Sequence, residues 1–266
     1  MGLHHRCAGQ GIGRGAHEKF CAGPLYAPQN PPANAPLSVT AMSAARESLA
    51  YVAHPGSDHL LVLLSGRRMG YRVDRFSFSK ATRRLAVYRL YLRDNFGLWY
   101  HRGLEGRTET LVDTAAFLTG FAAERGCSRI TMLGVSAGGY AALILGHLTR
   151  AAAVVAIAPR TRLHPDSERH ADRNREGVLG SLRKLAVCPG AEAALFDLAP
   201  YFADNPVAVG RVAIHYDPAH SLDRFHAENL ASIPGIALTQ HPGTGHTLAR
   251  VLVEDPLFLR DLLTGV

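Results

Sequence analysis

From about residue 49 onward, short apolar runs alternate with longer stretches in which apolar residues recur every three or four positions. Short runs of this kind read as strands buried on both faces, and the longer periodic stretches read as amphipathic helices. Strands are expected at 49–53, 60–64, 85–92, 130–133, 153–158, 211–216 and 236–240. Helices are expected at 109–124, directly after the turn at 134–138, near 222–230, and in two short pieces near 247–253 and 256–263. A helical but polar stretch runs from about 159 to 206. Alternating strands and helices imply an α/β fold, a mostly parallel sheet with helices on both faces, because parallel neighbours need a crossover between them. No internal repeat is visible.

The first forty residues break this pattern. They are rich in Gly, Pro, Ala and Asn, and Pro24, Pro28, Pro31, Pro32 and Pro36 interrupt any regular element. Residues 1–45 are therefore expected to form a flexible extension, with too few large apolar groups to offset the entropy of ordering them. Met42 opens the more regular stretch, and the expectation is that what precedes it is an upstream translational extension. One domain is expected over 46–266, with a cap-like insertion at about 160–206.

One turn concentrates the chemistry. The strand at 130–133 runs into Gly134-Val135-Ser136-Ala137-Gly138, and Tyr140, Leu143, Ile144 and His147 then recur at helical spacing. A serine on such a strand-to-helix turn has its hydroxyl lifted clear of the sheet, and the small flanking residues let strand and helix approach. Glycine-rich phosphate binding is disfavoured, because no Lys-Ser/Thr follows and the G-x-G-x-x-G spacing is missing.

A serine hydroxyl is a weak nucleophile at neutral pH and needs a base within hydrogen-bond reach, oriented by a carboxylate. In an open parallel sheet those partners come from loops at the carboxyl ends of later strands. His246, in the loop after the 236–240 strand, is the expected base, with His241 as its local competitor. The acid is expected from the segment after the 211–216 strand. Asp223 is favoured over Asp217, on the expectation that a loop gives it the reach to turn toward the histidine.

Composition narrows the class further. The 266 residues are 47% hydrophobic, ample for a sizeable core. The balance of 29 basic to 22 acidic residues gives +7, but the arginines are scattered and no basic strip points to nucleic acid. Cys7, Cys21, Cys127 and Cys188 form no C-x-x-C pair, and they read as isolated reduced thiols of a cytoplasmic protein. No apolar stretch is long enough to span a bilayer. Arg160, Arg162, His164, Arg169 and His170 show no convincing ligand spacing, so neither a metal nor another cofactor is expected. Asp94, Trp99 and Tyr100 read equally well as pocket lining and as core, and Arg67 and Arg68 as anion binding or as solvated charge.

Taken together, the turn at 134–138, an acid after the penultimate strand and a histidine after the last strand resemble the α/β-hydrolase superfamily over about residues 46–266, in its chain order of nucleophile, acid and base. Leu63-Leu64-Ser65-Gly66, Asp94 with Trp99-Tyr100, Ser136 to Tyr140, and Asp223-Arg224-Phe225-His226-Ala227 look similar to bacterial hydrolase-like proteins linked to surface polysaccharide or accessory secretion. The resemblance implies an oxyanion hole made by the N–H of Ala137 and a second donor, Gly66 or Arg67, from the loop Ser65 to Gly70, although the common His-Gly-Gly form is missing there. It further implies a serine esterase acting on a small-molecule or saccharide-linked acyl substrate through Ser136, His246 and Asp223. Acyl transfer by the same groups, or a non-catalytic partner-binding module, are the alternatives.

Overall fold

The computed structural model describes residues 47–67, 76–170 and 175–264. The expected extension at 1–45 lies outside them, as do Arg68, Met69 and Gly70. Among the described residues, seven strands form one sheet: β1 (Leu49–Val52), β2 (His59–Leu64), β3 (Tyr88–Leu92), β4 (Arg129–Val135), β5 (Ala153–Ile157), β6 (Val212–Tyr216) and β7 (Ile236–Gln240). Their spatial order is β1-β3-β2-β4-β5-β6-β7, with β1 antiparallel to β3 and every other pair parallel. The helices are α1 (Leu111–Ala123), α2 (Ala137–Thr149), α3 (Arg175–Ala186), α4 (Leu198–Asp204), α5 (Ser221–Glu228), α6 (Leu248–Glu254) and α7 (Pro256–Thr264).

The central strands read as unbroken apolar runs because both faces are covered. Leu60, Val62, Leu64, Met132, Val154 and Ile214 point into one core with residues of α1 to α5. Leu61, Leu63, Leu133, Val155 and Ile157 point into the other, which Leu248 and Leu252 of α6 and Leu262 of α7 close. Alternate side chains thus feed opposite layers, as the two-residue period of a strand requires.

Element ends differ from the sequence expectation where local hydrogen bonds intervene. The third strand starts at Tyr88 rather than 85, because the Leu85 N–H is spent on the Thr82 carbonyl in a turn. α1 starts at Leu111 because the Thr110 hydroxyl accepts the Asp113 N–H and caps it. The stretch between β5 and β6 carries α3, α4 and two 3-10 turns, Pro165–His170 and Ala193–Phe196. It is joined to α2 through the Tyr140 hydroxyl, which donates to the Leu195 carbonyl at 2.8 Å and lies 2.8 Å from His101 Nε2.

At the opposite end of the sheet, Arg129 donates to His59 Nδ1 at 2.9 Å and to the Leu263 carbonyl, tying α7 to β2 and β4. That leaves the His59 proton on Nε2, 2.9 Å from the Thr131 hydroxyl. Burial, helped by Arg129 and opposed by Asp58, lowers the His59 pKa from 6.5 to about 4, and burial alone takes His101 from 6.5 to about 4. Between those values the unfolded chain binds protons that the folded chain refuses, so acidification favours unfolding. The urea midpoint should fall as pH drops from 6.5 toward 4, and His59→Gln should flatten part of that slope.

Candidate active site

β4 ends in the middle of the sheet, and its exit turn is unusually tight. A Cβ on Gly134 would lie 2.1 Å from the Gly138 carbonyl oxygen, and one on Gly138 would lie 2.2 Å from that of Leu64. Only glycine fits at either position, so the turn presses against the end of β2. Ser136 between them has φ 53° and ψ −113°, a conformation that costs a non-glycine residue roughly 1–3 kcal/mol. Its backbone is pinned by an N–H bond to the Ile157 carbonyl at 2.9 Å and by its own carbonyl accepting from Tyr140 at 3.0 Å. Ala137 opens α2, so its N–H belongs to the first helical turn, which has no intrahelical acceptor.

The β2 exit runs alongside. A Cβ on Gly66 would stand 3.7 Å from the Ser136 Cβ, which puts the Gly66–Arg67 backbone beside the serine. Arg67 reaches across to α3, donating to the Gly177 carbonyl and the Ser181 hydroxyl, both at 2.9 Å, and its guanidinium lies 5.9 Å from the Trp99 ring centre. Behind this segment the Tyr100 hydroxyl is 2.9 Å from the Ser65 carbonyl and 3.1 Å from that of Leu92. Tyr100 and Trp99 both have positive φ, 65° and 53°. The Asp94 carboxylate underlies the loop, accepting the N–H groups of Phe96, Gly97 and Tyr100. Burial raises the Asp94 pKa, against the pull of those N–H groups. Trp99 and Tyr100 are core residues.

The residues expected as acid and base follow β6 and β7. The expected loop position for Asp223 is corrected: it lies in the first turn of α5, and His220 caps that helix by accepting the Asp223 N–H. From there its buried carboxylate meets His246 Nδ1 at 2.9 Å. His246 sits in the 3-10 turn Gly245–Thr247, its side chain 42% exposed, and its Nε2 makes no hydrogen bond among the described residues. Asp217 does something different. It accepts the Ala219 N–H at 2.8 Å and the Gly245 N–H at 2.5 Å, fastening the turn that carries His246. Burial raises its pKa, yet the N–H groups of Gly245, Ala219, Gly243 and Thr244 outweigh that and hold it below the ordinary value. His241 pairs with His215 Nδ1 at 3.0 Å instead.

Two strands separate β4 from β7, a span of about 14 Å at ordinary strand spacing. The six residue-to-residue steps from Gln240 to His246 can cover up to ~20 Å, enough for the histidine to return toward the serine. No hydrogen bond joins Ser136 and His246 among the described residues, and in ligand-free enzymes such bonds are often long. His220 had no assigned role in the sequence, and its one signal was a histidine three residues ahead of an acidic residue at a helix start.

Neither a family model nor a curated protein sequence matches the chain. Solved structures do match. A lipase-esterase related protein from Clostridium acetobutylicum is 16% identical, over 78% of this chain and 97% of its own, with TM-score 0.50. The capsule O-acetyltransferase of Neisseria meningitidis serogroup A is 14% identical over 81% and 92%, with TM-score 0.55. EstE5-PMSF is 15% identical over 88% and 93%, with TM-score 0.57. At such identities the likeness is one of architecture, and the chain has the α/β-hydrolase fold. No helix among the described residues is long and apolar enough to cross a membrane.

The packing at the turn is open to a direct check. Gly138→Ala should cost at least about 3 kcal/mol, since its new methyl meets the backbone of β2 rather than a mobile side chain. Chemical denaturation measures it.

Proposed function

We propose that the protein is a serine hydrolase that cleaves an ester or related acyl bond. The observation that carries this reading is Ser136 held at φ 53° on a strand-to-helix turn whose neighbouring glycines admit no side chain. The 2.9 Å contact between His246 Nδ1 and Asp223 supports it, because it leaves Nε2 as the basic nitrogen.

In the proposed reaction Nε2 of His246 takes the Ser136 proton as Oγ attacks the acyl carbonyl. Asp223 fixes the Nδ1–H tautomer and stabilises the imidazolium. The oxyanion of the tetrahedral intermediate is met by the N–H of Ala137 and by one from Gly66 or Arg67, and losing one such donor typically costs ~3 kcal/mol of transition-state stabilisation. His246 then protonates the leaving alcohol, and water, activated by the same nitrogen, releases the acid and restores the serine.

A second reading is favoured by the Neisseria capsule O-acetyltransferase among the structural neighbours. An acceptor hydroxyl in place of water would turn the same groups to acyl transfer, with a saccharide as the natural acceptor class. Release of free acid from p-nitrophenyl acetate, set against acetyl capture by an added glycan, separates the two.

A fluorophosphonate probe should label the protein, and Ser136→Ala should abolish the band. Absence of labelling in folded wild-type protein would favour a partner-binding module. With p-nitrophenyl esters, His246→Ala should lower kcat by roughly 10²–10⁴-fold. Asp223→Asn should lower kcat with little change in the urea midpoint. Asp217→Asn should lower the midpoint as well, since that carboxylate serves backbone N–H groups.

A further inference from the structure

His220 and His246 belong to different segments, yet both turn Nδ1 toward one carboxylate oxygen, at 3.2 and 2.9 Å from Asp223 Oδ1. Their rings stack, with centroids 5.5 Å apart and planes inclined by 29°. The Asp223 N–H donates to His220 Nδ1 at 3.3 Å, so the helix cap and the carboxylate contact share one nitrogen. A lone pair of that nitrogen facing the carboxylate oxygen would be repelled by it, and a cation between the two, proton or metal, relieves the repulsion. Asp223 has a second unmet demand. It is 2% exposed, and its Oδ2 has no hydrogen-bond partner among the described residues, an expensive state for a buried carboxylate oxygen.

Two imidazole nitrogens and a carboxylate oxygen, all within 4.8 Å of one another, make a three-ligand set. In a tetrahedral zinc site with bonds of about 2.1 Å, ligand atoms stand roughly 3.4 Å apart, so small side-chain rotations would bring these three around an ion. Imidazole favours zinc-like ions over magnesium or calcium. The His246 side chain is 42% exposed, which leaves a path for a hydrated ion, and a retained water would be the fourth ligand. Linear spacing hides the cluster, since its members come from a helix cap, a helical turn and a 3-10 turn.

We propose that His220, Asp223 and His246 bind a divalent ion of the zinc class, and that occupancy switches the site off by withdrawing the imidazole and carboxylate that Ser136 requires. The switching half rests on the hydrolase reading; the binding half does not.

The full chain, stripped with EDTA, is titrated with Co²⁺ as a spectroscopic stand-in. A single equivalent should produce the visible bands of four-coordinate Co²⁺, and Zn²⁺ should displace them. His220→Asn keeps a helix-capping acceptor and should lose the bands. His220→Cys should recover them together with a thiolate charge-transfer band. No single-equivalent spectrum in the wild type, or an unchanged spectrum in His220→Asn, overturns the site. Zn²⁺ should slow fluorophosphonate labelling of Ser136 by about a hundredfold or more, and EDTA should restore it. Labelling indifferent to a Zn²⁺ concentration that displaces Co²⁺ overturns the switch. Co²⁺ binding by a metal-free protein that never labels upholds the metal site and instead removes the hydrolase reading.

Discussion

The turn after β4 approaches the end of β2 so closely that the Leu64 carbonyl oxygen would stand 2.2 Å from any Cβ at Gly138. That contact sets the positions of Ser136, of the first turn of α2 and of the Gly66–Arg67 backbone at once, because the three share one small volume. The strain in the Ser136 backbone persists because its surroundings over-determine it. Ile157 holds its N–H, Tyr140 holds its carbonyl, and a central strand and a helix buried from Ala137 to Gly146 anchor the two ends. Behind Gly66, the Tyr100 hydroxyl and the Asp94 carboxylate brace the loop from the far side.

On the other half of the rim, two aspartates near one strand end divide the labour. Asp217 satisfies backbone N–H groups and fixes the path of the turn, whereas Asp223 faces an imidazole. The first gives the loop its shape, and the second gives the histidine its orientation. A carboxylate serving both would have to compromise one geometry for the other.

Much of the sheet was legible in the residues, because strands covered on both faces must be apolar along their whole length, as 60–64 and 153–157 are. The glycine-flanked turn was legible too, since close backbone approach admits few residue types. Less legible was whatever depends on a single hydrogen bond. Nothing local told that Leu85 closes a turn, or that the side chain capping α5 would be that of His220. The pairing of Tyr100 with the Ser65 carbonyl was equally hidden, because it spans 35 residues and leaves no periodic trace.

Among the described residues β7 pairs with β6 alone and alternates between half-buried and exposed positions, whereas β4 is flanked on both sides in the interior of the sheet. The serine and the histidine are therefore mounted on parts of unequal local stability. Fraying of an edge strand costs far less than global opening. Under gentle heating or low denaturant, the imidazole would drift from its register while the bulk of the sheet stayed intact. On the proposed hydrolase reading, loss of turnover would then run ahead of any spectroscopic sign of melting, and cooling would reverse it.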